Sequence, residues 1–172
     1  MTTIALLGAG GKMGLRITDN LRKTHYDVRH VEVSERGKAG LAERGIRAVT
    51  AEEALDESSA VILALPDNLI GRITSALNAR FKPGSMLIAL DIAAPLAGDL
   101  PRRDDLVFFV THPCHPSVFG GETEKAAQDD FFGGSLARQN IVCSLVQGPE
   151  ENYAIGEKIA RAIYAPVGVS HR

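Results

Sequence analysis

Gly8-Ala9-Gly10-Gly11-Lys12-Met13-Gly14 follows the apolar run Thr3-Ile4-Ala5-Leu6-Leu7 and leads into a helical pattern, and its reading decides the fold. Four glycines in seven residues require backbone to pass close to something. A strand that enters such a loop and leaves it as a helix aims free N–H groups and the positive end of the helix dipole at one point, where a pyrophosphate binds. Glycine keeps side chains out of the way. Met13, Ile17 and Leu21, at i, i+4 and i+8, give the helix one apolar face. Glu32 lies near the end of the next strand pattern, roughly 20 residues on, where a ribose hydroxyl would be held. A ligand-free tight connection would explain the glycines by themselves. Strand, loop, helix and acid in this order point to dinucleotide binding. The spacing fits two forms: Met13 stands where the commonest form has its third glycine, whereas Gly8-x-x-Gly11-x-x-Gly14 matches a variant.

The bounds agree with one α/β domain. The 172 residues suffice for one substantial core and are too few for two full domains. Nineteen basic against 21 acidic residues give a net charge of −2 with no basic block, which argues against a nucleic-acid or anionic-membrane partner. Cys114 and Cys143 stand far apart and outside any ligand-spaced cluster, so they read as reduced thiols. The first strand pattern begins at the N-terminus and the apolar runs have strand length, so the expected location is cytoplasmic.

Along the chain, Asp27 to Val33 reads as a second strand, Ser34 to Gly37 as a turn and Lys38 to Arg44 as a helix stopped by Gly45. Ile46 to Val49 reads as a short third strand. Thr50 with Glu53 makes a capping box for a helix through Leu55. Ala60 to Leu65 and Met86 to Leu90 are unbroken apolar runs, the mark of strands covered on both faces. Asp67 reads as the cap of a helix whose apolar face is Leu69, Ile73, Ala76 and Leu77, and Ala93-Ala94-Pro95 as the opening of a loop. Leu106 to Val110 is a further buried strand, Ser117 to Gly134 is irregular, and Ile141 to Leu145 is another strand. Pro149 reads as the first residue of a helix with Glu150 and Glu151 in its first turn, and Val167 to Val169 begins a last strand. Alternating strands and helices predict a Rossmann-type, doubly wound parallel sheet whose ligands bind beyond the carboxyl ends of the strands.

The candidate cofactor residues at that edge are Gly8, Gly10, Gly11, Lys12, Met13, Gly14, Glu32, Leu65, Pro66 and Asp67. Glu32 either holds the ribose hydroxyls, which favours NAD and repels a 2′-phosphate, or is a solvated acid at a strand end. Arg36, four residues on, leaves NADP open. His112, at the carboxyl end of a buried strand, is the candidate proton acceptor from a substrate hydroxyl, or it shapes the His-Pro turn. Cys114 reads as a small packed residue, His25, His30 and Arg102 to Asp105 as exposed polar surface, and Glu122 and Glu124 as a solvated acidic loop. Asp91 reads as a cap or as a support for the substrate loop. No metal site is expected, since His112, Cys114 and His115 lack a matching second cluster.

The glycine loop, Leu63 to Asn68, Asp91 to Pro95, Thr111-His112-Pro113-Cys114-His115-Pro116 and Gln147 to Glu151 resemble the NAD(P)-binding domain of the 6-phosphogluconate and β-hydroxyacid dehydrogenase superfamily. The subgroup they resemble most includes the D-apionate oxidoisomerases. His112-Pro113 with Gly121 to Glu124 is also similar to a region of prephenate dehydrogenases in which the histidine binds the substrate hydroxyl. The resemblance implies hydride transfer between a hydroxylated, sugar-derived acid and NAD or NADP, with oxidation coupled in the apionate enzymes to skeletal rearrangement. It also implies a homodimer formed through a helical C-terminal domain absent from residues 1–172, making this chain the N-terminal part of a longer enzyme. A nucleotide-binding or redox-sensing module without its own chemistry is the competing expectation.

Overall fold

The computed structural model describes residues 2–116, 121–130 and 136–172. Among these, seven strands form one sheet in the order β2-β1-β3-β4-β5-β6-β7: β1 (Thr3–Leu7), β2 (Asp27–Val31), β3 (Ala60–Leu63), β4 (Met86–Ala89), β5 (Val107–Pro113), β6 (Gln139–Gln147) and β7 (Val167–His171). The chain leaves β1 for β2 on one side and then crosses to β3 on the other. That reversal opens a crevice at the carboxyl ends of β1 and β3.

The helices divide between the two faces. Ile17 and Leu21 of α1 (Lys12–Leu21), Leu41 of α2 (Glu35–Ala42) and Ile159 and Ile163 of α7 (Asn152–Ile163) join Ile4, Leu6, Ile62, Ile88 and Phe109 in one core. Leu55 of α3 (Ala51–Glu57), Ile70 of α4 (Asp67–Ala76) and Ala94 of α5 (Ala93–Ala97) join Leu7, Val61, Leu63, Leu87 and Phe108 in the other. Strands covered on both sides need apolar residues at successive positions, which is why β1, β3 and β4 are unbroken hydrophobic runs. In β6 buried and exposed residues alternate from Gln139 to Ser144, and Val142 and Val146 lie exposed on the face opposite α7.

Several expectations need correction. The sheet is not wholly parallel, because β6 runs antiparallel to β5, while β7 pairs parallel to β6. Ile46 to Val49 is no strand but a single bridge, Val31 to Val49. Ser34 to Gly37 is not a free turn. The Ser34 hydroxyl accepts from the Gly37 N–H and caps α2, which starts at Glu35. Asp67 is the first helical residue of α4 rather than its side-chain cap. Residues from Ala93 form α5 instead of a loop, and α7 begins at Asn152, three residues after Pro149. The stretch read as irregular contains α6 (Lys125–Gln128), and its residues 117–120 and 131–134 lie outside the described residues. The capping box of Thr50 and Glu53 is present as expected. His30 is buried, Cys114 is exposed, and Arg103 is bound through its guanidinium to the Asn78 and Phe81 carbonyls and to Asp105. No helix among the described residues is long and apolar enough to cross a membrane.

Candidate active site

The glycine loop closes the crevice between β1 and β3. The N–H groups of Gly8 and Ala9 both donate to the Val31 carbonyl at the end of β2, turning the loop sharply. Gly8 has φ of +78°, and a Cβ there would strike the Ala64 carbonyl at the end of β3. A Cβ on Gly10 would strike the backbone of Gly37 in α2, and one on Gly14 the Gly8 carbonyl. These glycines permit α1, α2 and two strand ends to converge, and α1 therefore presents its N-terminus at the crevice. Gly11 is less constrained. Lys12 opens α1, Met13 packs against the core beneath it, and Asp67 is exposed at the start of α4.

Glu32 is tied into this loop. Its Oε2 accepts from the Gly10 N–H at 2.9 Å, while Oε1 accepts from the N–H groups of Val33 and Ser34 and from the Ser34 hydroxyl, at 2.8–2.9 Å. Burial, the largest influence, raises the carboxyl pKa. Hydrogen bonds from Ser34, Gly10 and Val33 together outweigh it and hold the group below its ordinary value. The acid is thus a fixed carboxylate. Three donors occupy Oε1, whereas Oε2 keeps a lone pair for a further donor. Arg36 is exposed in the first turn of α2.

Beside Glu32 opens a cleft of about 550 Å³, walled by Gly8, Gly11, Leu65, Pro66, Leu69 and Leu77. Its shape and chemistry suit an adenosine, with apolar walls for a flat base and one carboxylate at the mouth for a sugar hydroxyl. The glycine cradle, the spare lone pair of Oε2 and this cleft all fit a dinucleotide. Leu69 and Leu77 were legible in the sequence only as a helix face, and their role as a wall follows from how α4 crosses the end of β3.

Farther along the same edge stands His112, whose side chain is about half exposed. Its Nδ1 lies 2.8 Å from the Leu90 carbonyl oxygen. A carbonyl can only accept, so Nδ1 carries the proton and the neutral ring offers Nε2 as its basic atom. Asp91 supports this arrangement with both oxygens: Oδ1 accepts from the Ala93 N–H at 2.7 Å, at the start of α5, and Oδ2 lies 3.4 Å from His112 Nδ1. Cap and support are one role here. The pairing could not be read from sequence, since it depends on β4 ending beside β5, in register Ala89 to Val110. The rings of His112 and His115 meet edge to face at 6.4 Å.

Comparison with known proteins places this geometry. A family model described as the C-terminal part of decarboxylating phosphogluconate dehydrogenase matches residues 120–172. The D-apionate oxidoisomerase of Rhizobium rhizogenes is 54% identical over all of this chain, which spans 63% of that protein's length. A crystal structure of a semialdehyde dehydrogenase NAD-binding protein from Cupriavidus necator, in complex with calcium and NAD, superposes with a TM-score of 0.97 at 51% identity, covering 100% of this chain and 63% of that one. A structure from Jannaschia sp. CCS1 gives 0.95 at 44% identity, covering 99% and 62%. Along its whole length the chain is similar to NAD-binding dehydrogenases, consistent with the 6-phosphogluconate dehydrogenase-like superfamily. Of the residues matched by the C-terminal family model, Gln139–Gln147, Asn152–Ile163 and Val167–His171 are built into the Rossmann fold as β6, α7 and β7. Their reversed direction carries the start of β6 to the edge where β5 ends, and the Cys114 N–H donates to the Asn140 carbonyl there. Arg138 and Asn140 consequently stand near His112 and His115, a proximity for which the sequence holds no local signal.

Proposed function

We propose that this chain is the cofactor-binding part of an NAD-dependent oxidoreductase that oxidises a CH–OH group of a hydroxylated, sugar-derived acid, of the kind its D-apionate oxidoisomerase relatives act on. The carrying observation is that the glycine–Glu32 cradle and a histidine with a basic Nε2 share one sheet edge. The N–H groups of the glycine loop and α1 bind the pyrophosphate, and Oε2 of Glu32 accepts from a ribose hydroxyl. A carboxylate at this point repels a 2′-phosphate, which favours NAD over NADP. The bound nicotinamide supplies the hydride acceptor. His112 Nε2 accepts the hydroxyl proton as hydride leaves the same carbon, and the Leu90 carbonyl and Asp91 hold the ring and stabilise its protonated form. The carbinol thereby loses one hydride and one proton and becomes a carbonyl.

The test is spectrophotometric. The full-length enzyme, given D-apionate and a panel of other sugar acids with NAD or NADP, generates reduced cofactor, preferentially with NAD. Absence of oxidation with every acid, together with absence of reduction of the keto acids, refutes the reading.

A further inference from the structure

We propose that Arg138 and Asn140 form a carboxylate-binding subsite that selects acids over neutral polyols. This rests on the reading of the chain as an acid-oxidising dehydrogenase. A cavity of about 750 Å³ opens just beyond the end of β5, bounded by Cys114, His115, Gly121, Glu122, Arg138 and Asn140. It lies next to the proposed proton acceptor, because His115 contributes to its wall and packs its ring edge to face against His112.

Arg138 is built into this position. Its N–H donates to Glu122 Oε1 at 3.1 Å, which joins the start of β6 to the loop across the cavity. A Cβ on Gly168 would stand 2.7 Å from Asn140 Oδ1, so glycine in β7 makes room for that amide, and the Cγ and Cδ of the Arg138 stem lie in ordinary contact distance of the same point, at 3.5 and 3.6 Å. The residue is exposed, and its guanidinium makes no ion pair among the described residues. A planar fork of donors without an anionic partner, at the wall of a cavity, matches a carboxylate in a bidentate pair.

Asn140 adds a second donor. Its Oδ1 accepts from the Val169 N–H at 2.9 Å, which assigns the oxygen and leaves both amide hydrogens without a protein acceptor among the described residues. His115, at φ of +57°, holds a left-handed conformation uncommon for a residue with a Cβ. It turns the chain sharply between His112 and the cavity. An acid with its carboxylate on Arg138 and Asn140 would present a neighbouring hydroxylated carbon toward His112.

The experiment uses the full-length enzyme with D-apionate, its primary amide, and oxalate as a non-reacting probe. Arg138→Gln is expected to raise KM for the acid about tenfold to a hundredfold, the size of a charge-assisted hydrogen bond, with little change in kcat or NAD affinity. Arg138→Lys recovers part of the loss. The preference of the wild-type enzyme for acid over amide collapses in Arg138→Gln, and oxalate inhibition weakens by a similar factor. Unchanged KM and unchanged oxalate inhibition overturn the subsite, as does a loss of NAD affinity equal to the loss for the acid. Should the wild type oxidise no sugar acid, the functional reading fails. The subsite is then decided by oxalate alone: protection against thermal unfolding that requires Arg138 upholds it, and absence of protection overturns it.

Discussion

The roles proposed for two side chains at the sheet edge are separable. Glu32 accepts from Gly10 and lines the adenosine-sized cleft, which is why its proposed role is toward the cofactor and not the substrate. Glu32→Ala removes both the acceptor that fixes the loop and the charge that opposes a phosphate. NAD affinity is expected to fall about tenfold or more, while the ratio of NADP to NAD affinity rises, measured by titrating the fluorescence of the reduced cofactors. His112 is not among the residues that line the cleft. His112→Ala should lower kcat by roughly a hundredfold or more and leave the affinity for NAD unchanged. Asp91→Asn keeps the acceptor for the Ala93 N–H but loses the charge facing His112 Nδ1, so its kcat should fall less than that of His112→Ala. Equal turnover in wild type and His112→Ala would remove the histidine from the mechanism.

At the scale of elements, the glycines act as spacers. Gly10 lets the loop lie on α2 at Gly37, and Gly37 in turn leaves room for the Glu32 side chain. The glycine loop and Glu32 are therefore positioned by one helix. Gly10→Ala is expected to cost about 1–3 kcal/mol, read as a lowered melting temperature, and to weaken NAD binding together with it. On the same face of the sheet, α7 lies close enough that a Cβ on Gly156 would enter the ring of Phe109, a fully buried residue of β5. Phe109→Ala opens that contact and should destabilise by about 3–5 kcal/mol, measured by denaturant unfolding, with NAD affinity preserved in the fraction that remains folded. The contrast separates elements that shape the site from one that only supports it.

For the whole molecule, pH acts through groups whose proton affinity falls on folding. The His30 pKa is lowered by burial, against a backbone hydrogen bond at Val28 that raises it, with the Arg22 charge lowering it further. Glu32 is also held below its ordinary value. In both cases the unfolded chain takes up its proton at a higher pH than the folded one. Their contributions are therefore complete above the unfolded values and decline as the pH falls, first at His30 and then at Glu32. The melting temperature should drop between about pH 7 and pH 4, and His30→Gln should flatten the upper part of that decline. A melting temperature that rises on acidification would contradict this account.

Sequence by itself determined the local order of the chain. Apolar runs with no polar interruption mark strands enclosed on both faces, and the glycine loop with Met13, Ile17 and Leu21 marks a strand-to-helix turn, the place proposed for a pyrophosphate. Thr50 with Glu53 specifies a helix start through its own hydrogen bonds. Each is a property of neighbouring residues. Tertiary structure decided what depends on residues distant in the chain. The run Ile46 to Val49 has the composition of a strand but finds a partner only at Val31, and it remains a bridge. Val142 and Ser144 do not show whether β6 runs parallel or antiparallel, because a strand's side-chain alternation is the same in both directions. That direction sets Arg138 and Asn140 beside His115, and the ending of β4 sets Asp91 beside His112. The proposed cofactor cradle is legible because it is written within one βα unit, whereas the proposed substrate side is assembled by strand order and direction from segments about 20 to 50 residues apart.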